Sequence, residues 1–113
     1  MSSPQGFAVE VSDAGSNVVC IAVRGELDMS VAPGLTEAIT TAGGSGATVL
    51  LDLSGVTFLD SSAIGALVAS GREVTEAGGR LQIGSRSDIV TRVLEITGLV
   101  GTSDAFEVLP EGD

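Results

Sequence analysis

Lysine, histidine, tryptophan and tyrosine are all absent from this 113-residue sequence, and cysteine occurs once. Without histidine the commonest general base is missing, so a Ser-His-Asp hydrolase cannot be assembled and no enzymatic activity is expected. A single cysteine supplies neither an internal disulfide nor a zinc site of ordinary spacing, and a reducing, cytoplasmic setting is expected. Cys20 lies in an apolar run and is expected to act as a small buried hydrophobe. The lack of lysine rules out the phosphate-binding loop Gly-x4-Gly-Lys-[Ser/Thr]. It also removes a receiver-type site at Asp52 and Asp60, where a lysine would hold the acyl phosphate. Five arginines stand against fifteen acidic residues, for a formal charge of −10. Phosphate backbones need a basic footprint, so nucleic acid is not an expected partner. No apolar run approaches the length of a membrane span, and residues 1–5 lack a basic region leading into an apolar core. Neither membrane insertion nor a secretion signal is therefore expected. No cofactor and no metal are called for.

What remains is 43% hydrophobic, with only three phenylalanines, so the core must be built from Ala, Val, Ile and Leu. That composition fits one folded α/β domain spanning 1–113, its core about 7–109 with short tails. Phe7, Val9 and Val11 alternate with polar or small residues as a strand with one wet face, and 13–17 reads as a turn. Residues 18–23 are continuously apolar, as in a central strand, and Gly25 marks a backbone irregularity. Beyond Ser30, read as a cap, Val31, Leu35, Ala38, Ile39 and Ala42 recur at helical spacing, with Pro33 in the first turn. Residues 43–46 end that helix, and Gly44-Ser45-Gly46 sits between helix and strand, the wrong context for a dinucleotide fingerprint. A third strand over 48–53 leads through 54–57 to Asp60. Ile64, Leu67, Val68, Gly71 and Val74 then stripe a second helix that stops at Gly78-Gly79. A strand over 80–83 follows, then a third helix from about Ser87 with Ile89, Val90, Val93, Leu94 and Ile96 apolar. Gly98 and Leu99 suit its end, and a last strand spans 106–108. The order ββαβαβαβ predicts a small mixed sheet with helices on one face, the first pair antiparallel and the rest parallel through right-handed crossovers.

The junction Thr57-Phe58-Leu59-Asp60-Ser61-Ser62-Ala63-Ile64-Gly65 runs an apolar strand into a helix. Asp60, Ser61 and Ser62 are residues that cap helix starts, a contribution of ~1 kcal/mol. The same N–H groups and positive helix end also suit a phosphate, which would add about −1.5 to −2 charges. A serine there is a modifiable group. It is not an activated nucleophile, because no neighbouring base is available.

Phe58-Leu59-Asp60-Ser61-Ser62-Ala63-Ile64-Gly65, preceded by Val49-Leu50-Leu51-Asp52-Leu53-Ser54, resembles the phosphorylation segment of bacterial anti-sigma factor antagonists of the STAS domain family. Arg24-Gly25-Glu26-Leu27-Asp28 resembles the family's Gly-Glu-Leu/Ile-Asp signature, and Glu95-Ile96-Thr97-Gly98-Leu99 its late helix end. The three segments stand in the family's order, and the resemblance covers roughly 7–109. It implies a partner-switching regulator that, unmodified, binds an anti-sigma factor with serine kinase activity and so frees a sigma factor. Phosphorylation of the serine after the motif's aspartate, here Ser61, would end the complex, and a serine phosphatase would restore it. Asp60, Ser61, Ser62, Glu26 and Asp28 are the candidate partner-binding residues, although Glu26 and Asp28 also read as solvated rim charges and Ser62 as a first-turn polar residue. Ser30 and Thr97 read as structural. Ala63 departs from the glycine of many relatives, and Asp113 comes where many of them add a final helix. The family's other use, as a scaffold or regulatory subunit of transport or stress-signalling assemblies, is the alternative reading. A nucleotide-binding sensor has only the open helix start in its favour.

Overall fold

Period-two burial along the strands sets the architecture. In the computed structural model, which describes residues 7–99, 101 and 103–110, Phe7, Ile21, Val23, Val49, Leu51, Leu81 and Ile83 form one buried face of a sheet. The alternate residues Glu10, Ser12, Cys20, Ala22, Leu50 and Asp52 are exposed or half-buried. The elements run β1 Phe7–Gly15, β2 Val18–Leu27, α1 Ala32–Gly43, β3 Thr48–Leu59, α2 Ser61–Glu76, β4 Arg80–Arg86, α3 Asp88–Thr97 and β5 Glu107–Val108. The five strands lie in the order β1-β2-β3-β4-β5, with β1/β2 antiparallel and every other pair parallel. Leu35 and Ile39 of α1, Ala63, Leu67 and Val74 of α2, and Val90 and Leu94 of α3 share one core with the buried sheet face. The expected ββαβαβαβ order and single helical face are both present.

Several local expectations need correction. Cys20 is half-buried and lies on the sheet face opposite the core, because its even register aligns it with Ala22. The first turn is tighter than 13–17. β1 continues to Gly15, and Ser16 and Asn17 close the hairpin in left-handed geometry at φ 52° and 63°. β3 does not stop at 53. Register shifts at 51/53 and, in β2, at 22/24 and 25/26 absorb the irregular residues, and pairing with β2 carries the strand on to Leu59. β4 likewise extends to Arg86.

The helices also differ in detail. Ser30 does not cap α1: the N-cap is Val31, and the Ser30 hydroxyl donates to Asp28 Oδ1 at 2.6 Å. The buried face of α2 is Ala63, Leu67, Ser70, Gly71 and Val74, with Ile64 and Val68 flanking it half-buried. Small residues at 63, 70 and 71 let this helix approach closely. Ser70 is fully buried at no polar cost, since its hydroxyl donates to the Ala66 carbonyl at 2.6 Å. Gly71 is a point of backbone contact, where a Cβ would collide with the carbonyl oxygen of Ala105. α3 ends as expected, with Gly98 in the left-handed region at φ 76° and the Leu99 N–H bonded to the Leu94 carbonyl at 2.9 Å. Ile96, expected on its apolar face, is 78% exposed. At its start the Ser87 hydroxyl bonds the Val56 carbonyl at 2.6 Å and so ties α3 to β3 instead of capping the helix.

Candidate functional site at the start of the second helix

β3 ends where the chain must turn from extended to helical geometry, and Asp60 makes that turn. It sits in extended geometry at φ −108°, ψ −177°, and its Oδ1 accepts the Ala63 N–H at 3.1 Å. Its carbonyl accepts the Ile64 N–H, and its own N–H donates to the Leu27 carbonyl, both at 3.1 Å. Asp60 therefore caps α2 and fastens that helix start to the end of β2 in one residue. Of the three residues expected to cap, the Asp60 side chain makes the cap bond.

Ser61 is then the first helical residue, and its side chain is exposed. Ser62 follows, half-buried, and Ala63 is fully buried. Helix geometry leaves the Ser61 and Ser62 amides without an intrahelical acceptor, at the positive end of the helix. The Ser61 hydroxyl is accessible, and the helix axis behind it is fixed by a buried methyl and a cap.

Pairing of β2 with β3 brings the second candidate pair alongside. Glu26 aligns with Phe58 and Leu27 with Leu59, so Glu26 and Asp28 lie on the same rim as Asp60 and Ser61. Glu26 is exposed. Asp28 is bonded within its own turn. Its Oδ1 accepts the Ser30 hydroxyl at 2.6 Å and the Ser30 N–H at 3.0 Å, while its carbonyl accepts the N–H groups of Val31 and Ala32 at 3.1 Å. The hydroxyl bond first, and the N–H bond second, hold the Asp28 carboxyl below its ordinary value, against a smaller upward push from desolvation. Asp28 thus organises the turn that starts α1.

That turn presents Met29, 72% exposed, and the neighbouring strand end presents Phe58, 46% exposed. Neither stood out in the sequence. Phe58 reads as strand core from its apolar neighbours, and only the polar flanks Asp28 and Ser30 hint that Met29 faces water. Residues 26–32 and 58–62 together hold three carboxylates and no cation. The rim is an acidic edge that carries two exposed apolar side chains and the exposed Ser61. Among the described residues no group of three or more metal-ligating side chains is placed to hold an ion, and no helix is long and apolar enough to cross a membrane.

The STAS domain profile matches residues 11–111. The chain belongs to the STAS domain family. Among its relatives, the anti-sigma-B factor antagonist of Bacillus subtilis is 31% identical over 83 residues, 74% of this chain and 76% of that one. The anti-sigma-F factor antagonist RsfB of Mycobacterium tuberculosis is 30% identical over 110 residues, 96% of this chain and 88% of that one. A crystal structure of an anti-sigma factor antagonist from Mycobacterium paratuberculosis superposes with a TM-score of 0.76 at 29% identity, covering 97% of this chain and 91% of that chain. The antagonist SpoIIAA in its unphosphorylated form superposes at 0.70 with 26% identity, covering 92% and 90% of the two chains. SpoIIAA has also been solved in a phosphorylated form. The STAS fold expected from the sequence is the fold observed.

Proposed function

We propose that this STAS chain is an anti-sigma factor antagonist that works by partner switching in the cytoplasm and is switched at Ser61. Unphosphorylated, it binds an anti-sigma factor with serine kinase activity and frees the sigma factor. The kinase transfers the γ-phosphoryl of ATP to Ser61 Oγ, releasing ADP and the hydroxyl proton, and the complex ends. A serine phosphatase hydrolyses the phosphoserine and restores binding. The chain itself supplies no catalytic group.

The observation that carries this reading is an exposed serine hydroxyl at the first position of a rigidly capped helix, flanked by segments 26–32 and 58–62 that hold no cation. Phe58 and Met29 offer the partner apolar anchors, and Glu26, Asp28, Asp60 and Ser62 border them. A phosphate on Ser61 adds about −1.5 to −2 charges beside three carboxylates, and residues 26–32 and 58–62 hold no arginine to absorb them. Burying that dianion against a partner costs several kcal/mol unless it is paired, and each 1.4 kcal/mol weakens binding tenfold. A modest penalty is enough to release the partner.

The test is intact-mass analysis with site mapping on protein from its native cells, before and after stress. One phosphate on Ser61, with an occupancy that changes with conditions, supports the switch, and a Ser61→Ala protein should then stay bound to the kinase when ATP is added. Release of the Ser61→Ala protein by ATP overturns the assignment of that residue. Absence of phosphate under every condition favours the non-switching scaffold or regulatory-subunit reading.

A further inference from the structure

A second surface lies away from the Ser61 rim. Because β1 is antiparallel to the other strands, Val11 aligns with Ile21 and Asp13 with Val19, so the end of β1 lies toward the N-terminal ends of the parallel strands, whereas Ser61 follows the C-terminal end of β3. α1 packs over β2 and β3. Strands are ~4.8 Å apart and a helix is about 10 Å wide, so a helix in that place leaves the helix side of an edge strand partly uncovered. The result is an open groove of about 520 Å³ between β1 and α1. Val11, Val19, Ala38 and Ala42 line it, with Asp13 and Glu37 at its margin. Val11 is 56% exposed, one of the exposed large hydrophobic side chains among the described residues.

The charge around the groove is of one sign. Of the residues that line it, Asp13 and Glu37 are the charged ones, and both are acidic. A second copy of this chain would bring its own −10 and set carboxylates against carboxylates. The complementary occupant has apolar residues at i, i+3, i+4 and i+7 and lysines or arginines on both flanks, which is the pattern of helix-in-groove recognition. We infer that the β1/α1 groove is a second docking site that takes a basic amphipathic helix from a partner protein. Such a helix lies beside α1 and completes the cover over β1. Because this surface is remote from Ser61, occupancy does not depend on phosphorylation, and one chain can hold two partners at once. The inference stands independently of the reading of Ser61.

The test uses the ¹⁵N-labelled full chain titrated with an 18-residue Lys/Leu amphipathic peptide, and with its Glu/Leu counterpart. Saturable shifts at Val11, Val19, Ala38 and Ala42, without shifts at residues 61–64, are expected from the cationic peptide only. Val11→Asp should weaken that binding by about tenfold or more, since it places a charge on the groove's apolar wall. Glu37→Lys should weaken it through charge alone and serves as the second variant should Val11→Asp disturb the hairpin. Ser61→Asp should leave it unchanged. Shifts spread evenly over the acidic surface, binding that survives both groove variants, equal binding of the anionic peptide, or no binding overturns the proposal. A dimer of the free protein in sedimentation equilibrium that Val11→Asp abolishes assigns the groove to a second copy and overturns it as well.

Discussion

Asp60 joins two jobs that are separable by mutation. Its carboxylate caps α2, so Asp60→Ala should cost about 1 kcal/mol and lower the melting temperature by a few degrees, while Asp60→Asn, which keeps an acceptor oxygen, should cost less. Thermal melts of the two variants check this, and equal losses would show that charge outweighs the cap bond. Ala63 is fully buried, so its methyl adds core contact to helix propensity. Ala63→Gly should lose about 1–2 kcal/mol in urea denaturation. Asp28 gives a prediction in pH. Its folded-state carboxyl titrates below its ordinary value while the unfolded one does not. The group therefore stabilises the fold above its unfolded value, and that stabilisation disappears as pH falls through the lowered folded value. Ser30→Ala removes the stronger bond and should move the Asp28 titration upward toward the ordinary carboxylate range, as read by NMR of the side-chain carboxyl. At this scale the sequence was informative about Asp60 and Ser61, since both are named by their chemistry at a helix start. It was misleading about Ser30 and Cys20. A serine before a helix caps only if its own backbone takes the cap geometry, and here the hydroxyl turns back to Asp28. A cysteine in an apolar run is buried only on the covered face, and even register puts Cys20 on the other.

Among the elements, α2 shows how close packing can outvote intrinsic propensity. Alanine is favoured over glycine inside a helix by about 1 kcal/mol, yet at position 71 the added methyl meets the Ala105 carbonyl, which backbone connectivity holds in place. Overpacking of this kind costs about 1–3 kcal/mol, so Gly71→Ala should be net destabilising, and a denaturation midpoint above that of the parent chain would contradict it. Phe58 and Met29 belong to the opposite category. Both are exposed, so Phe58→Ala and Met29→Ala should leave the melting temperature within about 1 °C while weakening the proposed complex with the anti-sigma factor about tenfold each, as measured by calorimetry. Element type and order were legible from periodicity and glycine punctuation throughout. Strand ends were not, because β3 from 54 to 59 lacks a regular alternation and owes its extension to pairing across a bulge with β2. That is a property of two segments, and no window on either one reveals it.

For the molecule as a whole the excess of acid sets the conditions under which any partner meets it. Fifteen carboxylates against five arginines repel one another in the folded state, and the Arg72–Asp104 pair at 3.5 Å is too exposed to offset this. Raising salt from about 10 mM to 150 mM shortens the screening length from ~30 Å to ~8 Å and should raise the melting temperature. A flat or falling response would mean that local ion pairs matter more than net charge.

The plain succession of strands carries a consequence for how the chain is made. Every strand of the sheet lies beside its predecessor in the sequence, and the first two already form a closed hairpin. During synthesis the sheet can therefore grow in the order in which it leaves the ribosome. Each new helix-strand unit finds an edge already waiting, and at no stage must a finished strand be held open for one that has yet to be translated.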